Sequence, residues 1–113
     1  MASDVVLIFT RFGMGEGPEE LQKVLAVKYL SLLLETGNLP AKILFYTNGV
    51  KLACQGSPVI DQLKKLEEKK VELVLCQTCL NFLSLADKAA VGIVGGMGDI
   101  LEATQKAGKV ISL

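Results

Sequence analysis

Five apolar residues in unbroken succession, Val5-Val6-Leu7-Ile8-Phe9, leave this chain few options near its amino terminus. A half-exposed strand would alternate apolar with polar, so an unbroken run of this length reads as a strand buried on both faces, the middle strand of a parallel sheet. Three glycines follow within Arg11-Phe-Gly-Met-Gly-Glu-Gly, and then Pro18, whose fixed φ suits the first position of a helix, with Glu19 and Glu20 placed to complement the helix dipole. Strand, glycine-rich loop and helix start make one βα unit. The helix is expected from Pro18 to about Glu35, stopped by Gly37 with Asn38 and Pro40 beyond it.

The same alternation continues to the carboxy terminus. Ile43, Leu44, Phe45 and Tyr46 mark a second strand within Ala41 to Thr47, which Asn48-Gly49 leaves in a turn. Val50 to Cys54 has room for a short helical turn. Ser57-Pro58 then caps a helix whose Val59, Leu63 and Leu66 draw one buried stripe, while Asp61, Lys64, Lys65 and the mixed charges of Glu67 to Lys70 face water. Val71 to Leu75 is the third strand. Asn81 to Lys88 has no clear periodicity; Ala90 to Val94 is a fourth strand with the exit Gly95-Gly96-Met97-Gly98, Asp99 to Ala107 a last helix, and Lys109 to Leu113 a fifth strand. Parallel neighbours need crossovers, so residues 1–113 are expected to form a single α/β domain: three layers, α/β/α, around a five-stranded, mostly parallel sheet.

In an open sheet of this kind the loops at the strands' carboxyl ends line the ligand crevice. Those loops are Arg11 to Gly17, Asn48-Gly49, Cys76 to Cys79 and Gly95 to Gly98. Cys76 falls where the third strand ends, held by a rigid element yet expected to reach solvent. Cys79 follows at CxxC spacing, which suits a disulfide, a metal chelate, or an attacking and a resolving thiol. Arg11, the single arginine, is a candidate to hold an anion at this edge, with Gly13 and Gly15 in its loop, Asn48 and Gly49 beside it, and Thr78 able to donate to a sulfur anion. Gly13 to Gly17 leads to a helix amino terminus but is not GxGxxG and lacks the Walker lysine, so a nucleotide reading is weak. Cys54 has no motif and reads as core.

Composition narrows the partners. Twelve basic residues balance twelve acidic ones, which leaves no basic surplus to release counterions from nucleic acid. No apolar run approaches the ~20 residues of a membrane span, and no basic leader precedes the first strand, so a cytoplasmic, reducing location is expected, where a CxxC is more often catalytic or metal-binding than structural. There is no histidine, which removes Cys-His catalysis and every His-containing metal site. No cofactor and no metal are expected from the residues. In the long first helix Leu21, Val24, Leu25 and Leu32 define one apolar face while Val27, Leu30 and Leu34 sit round the side. One sheet cannot cover them all, and a homo-oligomer using this helix is expected.

Leu75-Cys76-Gln77-Thr78-Cys79-Leu80, Gly49-Val50-Lys51-Leu52, Gly56-Ser57-Pro58-Val59, the Val-Gly-Ile-Val strand and the terminal Lys-Val-Ile-Ser-Leu together resemble the DsrE/DsrF-like sulfur-relay family, nearest to the carboxy-terminal domain of its YedF-type subgroup. The likeness covers nearly the whole chain. It implies an α/β/α fold, assembly into homo-oligomers, sulfur donors and acceptors as partners, and a cysteine carrying sulfane sulfur as a persulfide, a role that falls on Cys76. Gln77 stands where glycine is common in the subgroup, Gly96 and Gly98 stand where asparagine and an aromatic residue are expected, and the subgroup's SirA-like amino-terminal domain has no counterpart in this sequence. From the residues alone two other chemistries stay open. One is a dithiol redox protein using Cys76 and Cys79; the other is a non-catalytic oligomeric binding module whose cysteines chelate zinc, one CxxC supplying two of the four ligands.

Overall fold

The computed structural model describes residues 4–113. Its chain order is β1 (Val5–Phe9), α1 (Glu19–Thr36), β2 (Lys42–Phe45), a 3₁₀ helix (Thr47–Ala53), α2 (Ile60–Glu68), β3 (Glu72–Cys76), α3 (Gln77–Phe82), β4 (Ile93–Gly95), α4 (Met97–Lys106) and β5 (Lys109–Ser112). The strands lie in the order β4-β3-β2-β1-β5 and every pairing is parallel. The α/β architecture is what the alternation of apolar runs requires, but the middle strand is β2, and β1 lies between β2 and the edge strand β5, covered on both faces without being central.

Register explains how the two faces are filled. Leu7, Ile43 and Leu73 stand side by side on one face, and Val6, Lys42 and Glu72 on the other. The chain walks from β1 through β2 and β3 to β4 in one direction and then crosses back to β5. Right-handed crossovers therefore put α1 and α2 on one face and α4 on the opposite one. Phe9 and Phe45, neighbours in register, stack with ring centroids 5.8 Å apart at the carboxyl end of the sheet. Stacked rings of this kind contribute about 0.5–1.5 kcal/mol beyond the area they bury.

Element boundaries differ from the sequence reading where tertiary contacts decide them. Pro18 is extended, with ψ 141°, and caps α1 instead of entering it. Gly37 closes α1 in the left-handed region at φ 76°, its N–H donating to Leu33 O at 3.0 Å. The turn expected at Asn48-Gly49 is the first turn of the 3₁₀ helix, and part of the stretch of uncertain form is α3. β4 starts at Ile93, later than expected, because Ala89 is drawn into a bridge with Cys54 and Gly92 turns at φ 80°, its N–H tied to Glu67 Oε2 at 2.9 Å. α4 starts two residues early, where Asp99 Oδ2 accepts the Gly96 N–H at 2.8 Å.

In α1 only Ala26 and Leu30 are buried, while Leu21, Val24, Leu25 and Leu32 stand 50%, 48%, 39% and 56% exposed. The apolar face drawn by Leu21, Val24, Leu25 and Leu32 is the outward one. Among the described residues no helix is long and apolar enough to cross a membrane.

Candidate functional site

Cys76 is the last residue of β3 and the cap of α3, so the chain passes from strand to helix at the sulfur itself. Three residues on, within the first turn of α3, stands Cys79. The two thiols are not equivalent. Cys76 is 0% exposed at the buried carboxyl end of β3, whereas Cys79 is half-buried and opens on a cavity. The expectation that Cys76 reaches solvent is corrected here: the first turn of α3 folds over the strand end and carries Cys79, not Cys76, to the surface.

The cavity measures about 290 Å³ and is lined by Thr47, Asn48, Thr78, Cys79, Phe82 and Leu83. Thr47 supplies its polar contact to sulfur. The Thr47 N–H donates to Cys79 Sγ at 3.0 Å. To aim that N–H, Thr47 takes φ 49°, the left-handed region, which is costly for a β-branched residue and is held by surrounding contacts. Its hydroxyl lies 2.6 Å from Thr10 O and 2.7 Å from Tyr46 O, and the Tyr46 N–H reaches Phe9 O at 3.2 Å. The exits of β1 and β2 are stitched together directly beside the thiol.

Burial pushes the Cys79 thiol above its ordinary value of 9.0; the Thr47 N–H opposes that rise, and the adjacent Cys76 thiol adds to it through a hydrogen bond and through charge. Burial likewise raises Cys54, whose Sγ donates to Val50 O at 3.2 Å inside the core. The resting site is a protonated thiol in an apolar cleft. The donor to the Cys79 sulfur is the Thr47 N–H.

Of the expected anion-binding set, Asn48 and Thr78 line the cavity with Cys79, and the others are engaged elsewhere. The Arg11 guanidinium lies 3.7 Å from the Glu16 carboxylate. Gly13 and Gly15 belong to a loop folded onto α1: the Met14 N–H donates to Gln22 O at 3.0 Å and Gln22 Nε2 to Gly17 O at 2.8 Å. A Cβ at Gly13 would sit 2.5 Å from Gln22, so the loop's close approach is to its own helix. Gly49 is buried, and a Cβ there would collide with the Phe9 carbonyl. Thr47, Phe82 and Leu83 were not anticipated. Phe82 was discoverable, since it follows Cys79 by three residues and shares its face once residues 77–82 are helical. Nothing in the residue pattern marks Thr47. Among the described residues no group of three or more His, Cys, Asp or Glu side chains converges, so a zinc site is not assembled from this chain's own described side chains.

The model of the DsrE/DsrF-like family matches residues 4–113. The chain belongs to the DsrE/DsrF-like family. That family is generally connected with sulfur relay. Two solved structures share its fold: the ychN protein from E. coli, with a TM-score of 0.70 at 18% identity over 100% of both chains, and MTH1491 from Methanobacterium thermoautotrophicum, a protein of unknown function, with a TM-score of 0.70 at 17% identity over 96% of this chain and 97% of that one. No curated protein matches the sequence. In this DsrE-like chain the CxxC pair, the 3₁₀ helix and α3 form the candidate site.

Proposed function

We propose that this protein relays sulfane sulfur as a protein-bound persulfide, with Cys79 receiving the sulfur and Cys76 lying beneath it as a protected second thiol. The observation that carries this reading is the position of Cys79 Sγ: on the wall of an apolar cavity, 3.0 Å from the Thr47 N–H, next to a second thiol. The apolar lining of the cleft offers a bound sulfur atom few competing polar partners, and one backbone donor stabilises the anion without trapping it as a strong cation would. The family resemblance assigns the carrier role to Cys76. Its complete burial is the reason to move the receiving role to Cys79.

Incubation with a sulfane donor is expected to add the mass of one sulfur atom to the protein, with the adduct mapped to Cys79 by peptide mass spectrometry. Cys79→Ser is expected to abolish it. No adduct from inorganic polysulfide or from a persulfidated protein would sink the relay reading, and an adduct on Cys76 alone would return the carrier role to that residue.

A further inference from the structure

Resting on that reading, we infer that this chain also releases its cargo by itself: Cys76 attacks a Cys79 persulfide, discharges sulfide into the cavity and closes a Cys76–Cys79 disulfide. Three observations lead there. Cys76 and Cys79 sit at the cap and third position of one short helix, a spacing at which a disulfide closes across a single turn. They lie close enough for Cys76 to push the Cys79 thiol upward. Cys76 is sealed from the cavity that any external donor or acceptor must use, so its one accessible electrophile is the sulfur of Cys79. A thiol needed only as a carrier gains nothing from a position no donor can reach.

The step balances without a further co-reactant. The neutral Cys76 thiol passes its proton to the outer sulfur of the Cys79 persulfide anion and so attacks as the thiolate. The Cys76 Sγ–Cys79 Sγ bond forms, the bond from Cys79 Sγ to the outer sulfur breaks, and the Cys76 proton leaves with that sulfur as HS⁻. The two cysteines are oxidised and the sulfane sulfur is reduced to sulfide. A dithiol reductant restores the pair by thiol–disulfide exchange at Cys79, the exposed sulfur of the bridge. The apolar cavity keeps no cation against the departing HS⁻, which favours its escape.

The test loads the full-length protein with inorganic polysulfide without oxygen, removes the excess, and follows sulfide and the state of each cysteine with time. Wild type is expected to lose the adduct, to release one sulfide per disulfide and to end with a mapped Cys76–Cys79 bridge two hydrogens lighter than the starting dithiol. Cys76→Ser is expected to keep its Cys79 adduct and to release sulfide at least about tenfold more slowly, the loss of one positioned nucleophile. Wild type supplies an independent readout should that variant fold poorly, because the mapped bridge is read on the unaltered chain. A Cys79 adduct that persists in wild type with both thiols intact leaves the relay reading standing and overturns the resolution step. The absence of any adduct overturns both.

Discussion

At the scale of single residues the site is defined by one strained backbone and two unequal sulfurs. Thr47 spends conformational energy at φ 49° to point one N–H at Cys79, and Phe9, Thr10 and Tyr46 hold it there. Against that one donor stand burial and the neighbouring Cys76, and the net shift of Cys79 is upward from 9.0. Only the thiolate reacts, so a raised value lowers the reactive fraction at any neutral pH. The rate at which iodoacetamide labels Cys79 is therefore expected to climb with pH past 9.0 before levelling off. Cys76→Ala removes the two contributions that come from Cys76, and its midpoint is expected to lie below that of wild type, with labelling faster at neutral pH. An unchanged midpoint in the variant would show that the two sulfurs do not interact. The CxxC itself was legible in the sequence as chemistry. Which of its thiols meets solvent was not, because exposure at a strand end is decided by whatever folds over it, and the first turn of α3 carries no apolar periodicity long enough to announce a helix.

Elements show the same division between local and tertiary causes. Unbroken apolar runs announce β1, β2 and β3, and glycine and proline announce the limits of α1, since both signals are local. The role of the glycines was not local. Arg11 to Gly17 looks like an anion cradle by composition, yet its Met14 N–H and Gly17 C=O are used on Gln22 and its Gly13 N–H on Arg11 O, while Gly49, which looks like a turn residue, lets the 3₁₀ helix close on β1. The two kinds of glycine separate under substitution. A Cβ at Gly49 would fall within bonding range of Phe9 O, so Gly49→Ala has to push the 3₁₀ helix off β1. Its expected cost is about 1–3 kcal/mol or more, accompanied by loss of the Thr47 N–H contact and altered Cys79 labelling. Gly15 has open space around it and φ 77°, so Gly15→Ala carries only the left-handed backbone cost of roughly 1–2 kcal/mol. Denaturant midpoints measure both costs, and Cys79 labelling in the Gly15 variant is expected to match wild type.

For the whole molecule the decisive feature is how little of α1 its own chain covers. An eighteen-residue helix that buries only Ala26 and Leu30 leaves Leu21, Val24 and Leu25 at the i, i+3, i+4 spacing of one face, with Leu32 two turns further along. The sequence announced an excess of apolar surface on this helix but assigned no side to it, because apolar residues spread round the helix leave no clear period from which to choose its inner face. A contiguous apolar stripe of this kind is what a subunit contact uses, and a formal charge of zero puts no net repulsion between two copies of the chain. We propose that α1 packs on α1 of a second copy, and the expected mass by light scattering at micromolar concentration exceeds that of one chain. Val24→Glu together with Leu25→Glu, two half-exposed positions, is expected to return the mass to a monomer. The sheet should stay folded, because the core contacts of α1 run through Ala26 and Leu30 on the other side. Wild-type protein that is monomeric under those conditions would refute the contact. A charged variant that keeps both its fold and its oligomeric mass would instead shift the interface to the exposed apolar residues Ile93, Met97 and Leu101 of β4 and α4.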